Sequence, residues 1–203
     1  LKIKLHKNDL PDGLDLGTVV AIDTETLGLN PNRDRLCLVQ LASGDDGCHL
    51  VQFDARAYDA PNLQRLLANS NVLKLFHFAR FDLAVMKKYL GIMARPIYCT
   101  RTASKLVRTY TDRHGLKDLV RELLSVDLSK EQQTSDWGAP ELTEKQLAYA
   151  ANDVAYLHRL KEALDKMLLR EGRVELAQAC FEFLPHRAEL DLAGWADTDI
   201  FAH

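Results

Sequence analysis

The chain has 203 residues, 47% of them hydrophobic and 27% charged, with 26 Lys and Arg against 29 Asp and Glu for a net charge of -3. That length fits one compact domain, and that composition excludes disordered and fibrous architectures. No basic surplus advertises a nucleic-acid partner, yet the charge is uneven: residues 95–130 hold eight basic and four acidic side chains, and residues 131–203 hold seven and fourteen.

In chain order, residues 2–6 alternate as a strand does, and residues 18–22 form a nearly continuous β-branched run of the kind buried on both faces. Residues 36–42 are a second such run, and Gly44-Asp45-Asp46-Gly47 turns it back into residues 48–53 as a hairpin. Pro61 opens a short helix to residue 67, and residues 72–76 read as the next strand. Helical periodicity follows over 79–90, stopped by Gly91, then over 102–107, 116–124 and one long helix from Thr143 to about residue 171. Ser129-Lys130-Glu131-Gln132 and Thr143-Glu144-Lys145-Gln146 both match the capping box. Leu147, Ala150, Val154, Leu157, Leu164 and Met167 make an apolar stripe along the long helix, and residues 184–203 read as an ordered tail. Strands first and helices later predict an α/β layered domain with a mixed sheet.

Cys37, Cys48, Cys99 and Cys180 form no C-x-x-C and no cysteine-histidine cluster, so free thiols and a cytoplasmic location are expected. The first ten residues lack the apolar core of a secretory signal, and no apolar stretch is long enough to span a bilayer, so no membrane association is expected.

Chemistry begins at the end of the second strand. In Ile22-Asp23-Thr24-Glu25-Thr26 the two acids are two positions apart and project from one face. Adjacent carboxylates on a buried strand repel and lose hydration, a cost a divalent cation offsets. Asp82, within His77-Phe78-Ala79-Arg80-Phe81-Asp82, stands at a helix start, where an acid also complements the helix dipole. Tyr149 and Asp153, four apart on the long helix, share a face beside the apolar stripe. Four carboxylates can hold two hard divalent ions about 3.5–4 Å apart, the arrangement suited to in-line phosphoryl displacement.

Asp23-x-Glu25, Asp82 and Tyr149-x-x-x-Asp153 resemble the three motifs of the DEDD exonuclease superfamily, tyrosine subgroup. Leu75 to Asp82, His114-Gly115-Leu116-Lys117-Asp118-Leu119, Lys130 to Trp137 and Leu142 to Leu157 are similar to ribonuclease D in particular. The resemblance covers about residues 19–168. It implies a ribonuclease H-like α/β fold with a mixed central sheet flanked by helices, and metal-dependent 3′-to-5′ exonucleolysis releasing nucleoside 5′-monophosphates. It implies two divalent ions, Mg²⁺ or Mn²⁺, with Asp23 bridging both, Glu25 and Asp153 completing the first site and Asp82 serving the second. Tyr149 would orient the attacking water and help deprotonate it, with metal-lowered water acidity doing most of that work. The implied partner is a single-stranded RNA 3′ end, as in tRNA or other stable RNA processing, with DNA as the alternative substrate and no obligate protein partner. Two departures stand out: Phe78 follows His77 where many ribonuclease D relatives have Asn, and the helical substrate-binding domains of full-length bacterial relatives have no counterpart. Residues 1–203 therefore read as a single exonuclease domain.

Candidate substrate contacts are Thr24, Leu27, His77, Phe81 and Lys130. Leu27 and Phe81 flank the acids, able either to stack on the terminal base or to pack. His77 reads as a hydrogen-bonded residue near the site, since hard cations favour oxygen. Lys130 belongs to a basic set with Arg95, Arg101, Lys105, Arg108, Arg113, Lys117 and Arg121, from which two or three phosphate contacts are expected. Gln40 is a buried polar strand residue in need of a partner, and Trp137 reads as an anchor for the loop over the site. A phosphatase of the haloacid-dehalogenase type is disfavoured because it needs a second Asp where this chain has Glu25, and no matching lysine motif is evident. A catalytically inactive nucleic-acid-binding module is disfavoured because all four acids and Tyr149 are present.

Overall fold

The computed structural model describes residues 1–45, 47–54, 57–128 and 135–203. Among these residues, six strands, β1 (Lys2–Lys7), β2 (Val19–Thr26), β3 (Leu36–Ala42), β4 (Gly47–Gln52), β5 (Leu73–Phe76) and β6 (Ile97–Cys99), form one sheet in the order β1-β4-β3-β2-β5-β6. The β2–β3 and β3–β4 pairs are antiparallel, whereas β1–β4, β2–β5 and β5–β6 are parallel. All seven positions of β3 are buried, so both faces of the sheet centre are covered, as its uninterrupted apolar run requires. The edge strand β1 exposes Lys2, Lys4 and Lys7, side chains that discourage further strand pairing.

Among the described residues, seven α-helices flank the sheet: α1 (Pro61–Ala68), α2 (Ala79–Leu90), α3 (Thr100–Val107), α4 (Leu116–Leu124), α5 (Glu144–Ala155), α6 (Leu157–Arg170) and α7 (Val174–Leu190). Pro61 occupies the first turn of α1, and Gly91 ends α2 in the left-handed region at φ 70°. The capping box at Thr143 is formed in both directions: Gln146 N–H donates to Thr143 Oγ1 at 3.3 Å, and Thr143 N–H donates to Gln146 Oε1 at 2.9 Å. The second predicted capping box, at Ser129, lies outside the described residues.

Three expectations are corrected. The helix read as continuous from Thr143 to about residue 171 is two helices, broken at Tyr156. Ala150, Val154, Leu157 and Leu164 are all buried, so burial continues across the break and imitates a single stripe. The break lets α5 lie on β2, β3 and β4 while α6 packs on α3, α4 and α7. The third helix starts at Thr100, after a strand of only three residues, Ile97–Cys99, too short to register as a period-2 pattern. The tail read from residue 184 is instead the end of α7, which packs on α2, α3 and β6. Beyond it, Arg80 and Arg187 both donate to the Asp191 carboxylate, at 2.7 Å from each guanidinium to Oδ1, and so tie the chain end to α2.

Candidate active site

The bulge between Glu25 and Thr26 marks where β2 leaves its partner β3, and the strand's last two acids sit just before it. Strand alternation puts Asp23 and Glu25 on the face covered by α5, which brings Asp153 over them. Carboxylate oxygens of Asp23, Glu25 and Asp153 all lie within 4.8 Å of one another. Tyr149, one turn earlier on α5, is half-buried beside them and packs against Trp137, with ring centroids 6.1 Å apart. Trp137 is 2% exposed and anchors its loop, as expected.

Asp82 comes from the first turn of α2 and is almost fully buried. Its Oδ1 accepts a 2.6 Å hydrogen bond from Thr24 Oγ1. Thr24 alternates away from the Asp23–Glu25 face, so this bond connects the acid on α2 to the strand that carries the other two. Phe78 precedes α2 at φ 69°, a left-handed conformation uncommon for a bulky residue, and exposes its ring, with the Arg101 guanidinium 4.7 Å from the ring centroid.

Among the described residues, no ion pair involves any of these four acids. Burial pushes the Asp23 carboxyl up to about 7, against a Thr24 backbone hydrogen bond that favours its charge. Burial and then the charges of Asp23, Asp153 and Asp82 push Glu25 up to about 10. Asp82 and Asp153 are raised well above the usual carboxylate range by burial and by Asp23. The Tyr149 phenol is raised too, by burial and then by Asp153, Glu25 and Asp23, so it remains a hydrogen-bond donor at neutral pH. A cluster of oxygen ligands that is costly to ionise without a counter-charge fits a hard divalent cation.

The remaining candidates are placed as follows. Thr24 is buried, with its hydroxyl committed to Asp82, which turns the expected substrate contact into a support for an acid. Leu27 is half-exposed and leans on Gly138, where an added Cβ would stand 2.7 Å from it. Phe81 is partly buried against the core. His77 shares a 2.9 Å hydrogen bond with Thr100 Oγ1, and that hydroxyl donates to Phe76 O at 3.1 Å. His77 Nε2 is buried. Burial and Arg101 push this imidazole down to about 3, so it is neutral. Lys130 lies outside the described residues. Of the other basic residues, Arg108 is fully buried and paired with Glu122, and Arg121 pairs with Asp118, whereas Lys105 and Arg113 are exposed.

The signals that sequence patterns missed are cross-element ones. Thr24 with Asp82, and Gln40 with Asp23, are partners separated by 58 and 17 positions.

The 3′-5′ exonuclease family model matches residues 7–169. A solved structure of Brucella melitensis NrnC with bound Mg²⁺ is 55% identical, with all of both chains covered and a TM-score of 0.96. Brucella melitensis NrnC bound to pGG is 56% identical, covering 100% of this chain and 99% of that one, with a TM-score of 0.97. Ribonuclease D of Gluconacetobacter diazotrophicus is 37% identical over 156 residues, 77% of this chain and 39% of that protein. The chain thus spans about two fifths of the length of the curated relatives it matches. Escherichia coli RNase D, at 24% identity over 85% of this chain and 45% of its own, shares the ribonuclease H-like fold with a TM-score of 0.74.

Proposed function

The chain belongs to the 3′-5′ exonuclease family, and from that premise we propose that it is a metal-dependent 3′-5′ exoribonuclease releasing nucleoside 5′-monophosphates. The observation that carries the reading is the cluster of Asp23, Glu25 and Asp153 with oxygens within 4.8 Å, Tyr149 beside it and no cationic side chain paired to it among the described residues. In this reading Asp23, Glu25 and Asp153 hold one divalent ion, and Asp23 with Asp82 holds the second. When bound, such ions neutralise the developing phosphoryl charge and acidify water. Tyr149 orients the attacking water through its phenolic hydrogen bond, burial being the first cause that holds the phenol above its ordinary value. Leu27 and Phe81 flank the terminal nucleotide. Residues 1–203 act as one exonuclease unit, with α7 packed into it through α2, α3 and β6.

The substrate is the 3′ end of a single-stranded RNA. Short oligoribonucleotides are favoured, because a relative of nearly equal length binds the dinucleotide pGG. The test is a digest of 5′-labelled RNAs of 2 to 20 nucleotides beside matched DNA, in Mg²⁺, Mn²⁺ and EDTA. Stepwise loss from the 3′ end of RNA, abolished by EDTA or by a blocked 3′ hydroxyl, supports the proposal. Activity on DNA alone, or activity that survives EDTA, overturns it.

A further inference from the structure

We propose that Gln40 is a positioning residue for Asp23, holding that carboxylate in the orientation that the metal centre requires. The inference deepens the metal-dependent reading above and rests on it. Gln40 sits in the middle of β3 with none of its surface exposed, among strand neighbours that are otherwise apolar. Its direct partners across the sheet are Leu50 on β4 and Asp23 on β2. Residues opposite one another in an antiparallel pair share a face, so the amide and the carboxylate stand side by side. Gln40 Nε2 donates to Asp23 Oδ2 at 3.3 Å.

The other end of the amide is what separates this pair from ordinary packing. Gln40 Oε1 is buried with no hydrogen-bond partner. Rotating the amide would set that oxygen against Asp23 Oδ2, acceptor to acceptor, so Asp23 dictates the orientation and leaves Oε1 unsatisfied. A buried acceptor without a partner is destabilising, and an apolar side chain of the same shape removes the defect. The core at this position would therefore be better served by Met or Leu, and what Gln40 adds is its bond to Asp23. No other side-chain donor reaches Asp23 among the described residues. The bond from Gln40 thus restrains a carboxylate whose cluster partners, Glu25 and Asp153, have oxygens within 4.8 Å of its own. Partners that orient a ligating side chain in this way typically change metal affinity by about 10–100-fold when removed.

The test compares Gln40→Met, Gln40→Leu and Asp23→Asn with the unaltered chain. Mn²⁺ affinity is measured on chelator-treated protein by the electron paramagnetic resonance signal of free Mn²⁺, beside the melting temperature in EDTA and kcat and KM on an oligoribonucleotide. The expected result is Mn²⁺ affinity lowered about 10–100-fold in Gln40→Met, a melting temperature in EDTA equal to or above that of the unaltered chain, kcat reduced at limiting Mn²⁺ and regained at high Mn²⁺, and KM unchanged. Unchanged Mn²⁺ affinity in both Gln40 variants, with loss in Asp23→Asn, overturns the proposal and leaves the metal centre standing. Unchanged affinity in Asp23→Asn overturns the metal centre and this proposal together. A collapse of the melting temperature in both Gln40 variants makes the residue structural and also overturns it.

Discussion

Thr24 and Asp82 are 58 positions apart in the chain and joined by a 2.6 Å hydrogen bond from hydroxyl to carboxylate. The bond lets an acid with almost no exposed surface sit beside a strand that already carries two others. Thr24→Val keeps the β-branched shape and removes the donor, leaving Asp82 buried and short of a partner. A loss of about 1–3 kcal/mol in unfolding free energy is expected in EDTA, with Thr24→Ser close to the unaltered chain. Urea denaturation followed by circular dichroism measures it, and equal stability of Thr24→Val and the unaltered chain would show that the bond contributes nothing.

Asp23→Asn and Asp153→Asn each remove one negative charge from the three-carboxylate cluster. Exonuclease kcat should fall by about 10²–10³-fold or more, as when one element of transition-state charge stabilisation is removed. The metal-free melting temperature should hold or rise, because the substitution relieves repulsion between Asp23, Glu25 and Asp153. A loss of activity accompanied by a large fall in melting temperature would instead indicate unfolding.

Tyr149→Phe deletes the phenolic hydroxyl while retaining the packing on Trp137. The expected outcome is a lower kcat with KM and Mn²⁺ affinity unchanged. Because burial is the first cause that holds the Tyr149 phenol above its ordinary value and persists when metal is bound, the pH–rate profile of the unaltered enzyme should show no limb that disappears in the variant between about pH 7 and pH 9. Such a limb would identify Tyr149 as a base.

The pH dependence of the metal-free protein follows from the raised carboxyls. Asp23 and Glu25 stand at about 7 and about 10 when folded, against ordinary values of 3.8 and 4.5. Groups whose folded pKa is raised add stability that is complete below the ordinary value and is lost as pH climbs through the folded one. The melting temperature in EDTA should therefore fall between about pH 4 and pH 10, and the slope below about pH 7 should shrink in Asp23→Asn. Mn²⁺ competes with those protons, so the stabilisation it confers should grow over the same interval. A metal-free melting temperature that rises with pH, and rises no less in Asp23→Asn, would contradict the assignment.

How much of this was legible differs from residue to residue. Asp23 with Glu25, and Tyr149 with Asp153, are pairs whose geometry is set by the local period, two on a strand and four on a helix, and both are placed as that period predicts. Gly91 and the Thr143 capping box are likewise local, and both end or begin helices where expected. The break at Tyr156 was hidden because packing on two different partners preserved one apolar stripe. Thr24 was expected among the substrate contacts, and its bond to Asp82, 58 positions away, has no local signal. Gln40 could be recognised as a buried amide in need of a partner, but not matched to Asp23.

The first five strands, the helices that open at Pro61, Ala79 and Glu144 and the residue types of the site were thus legible in the sequence alone, since each rests on hydrogen bonding and side-chain direction within a few residues. Which acid meets which partner was decided by the tertiary structure. The sheet order β1-β4-β3-β2-β5-β6 places Gln40 opposite Asp23, and the seating of α2 and α5 brings Asp82 to Thr24 and Asp153 to Glu25. Those juxtapositions depend on how layers bury their apolar faces against one another, and on the desolvation that follows, neither of which is encoded in any single local period.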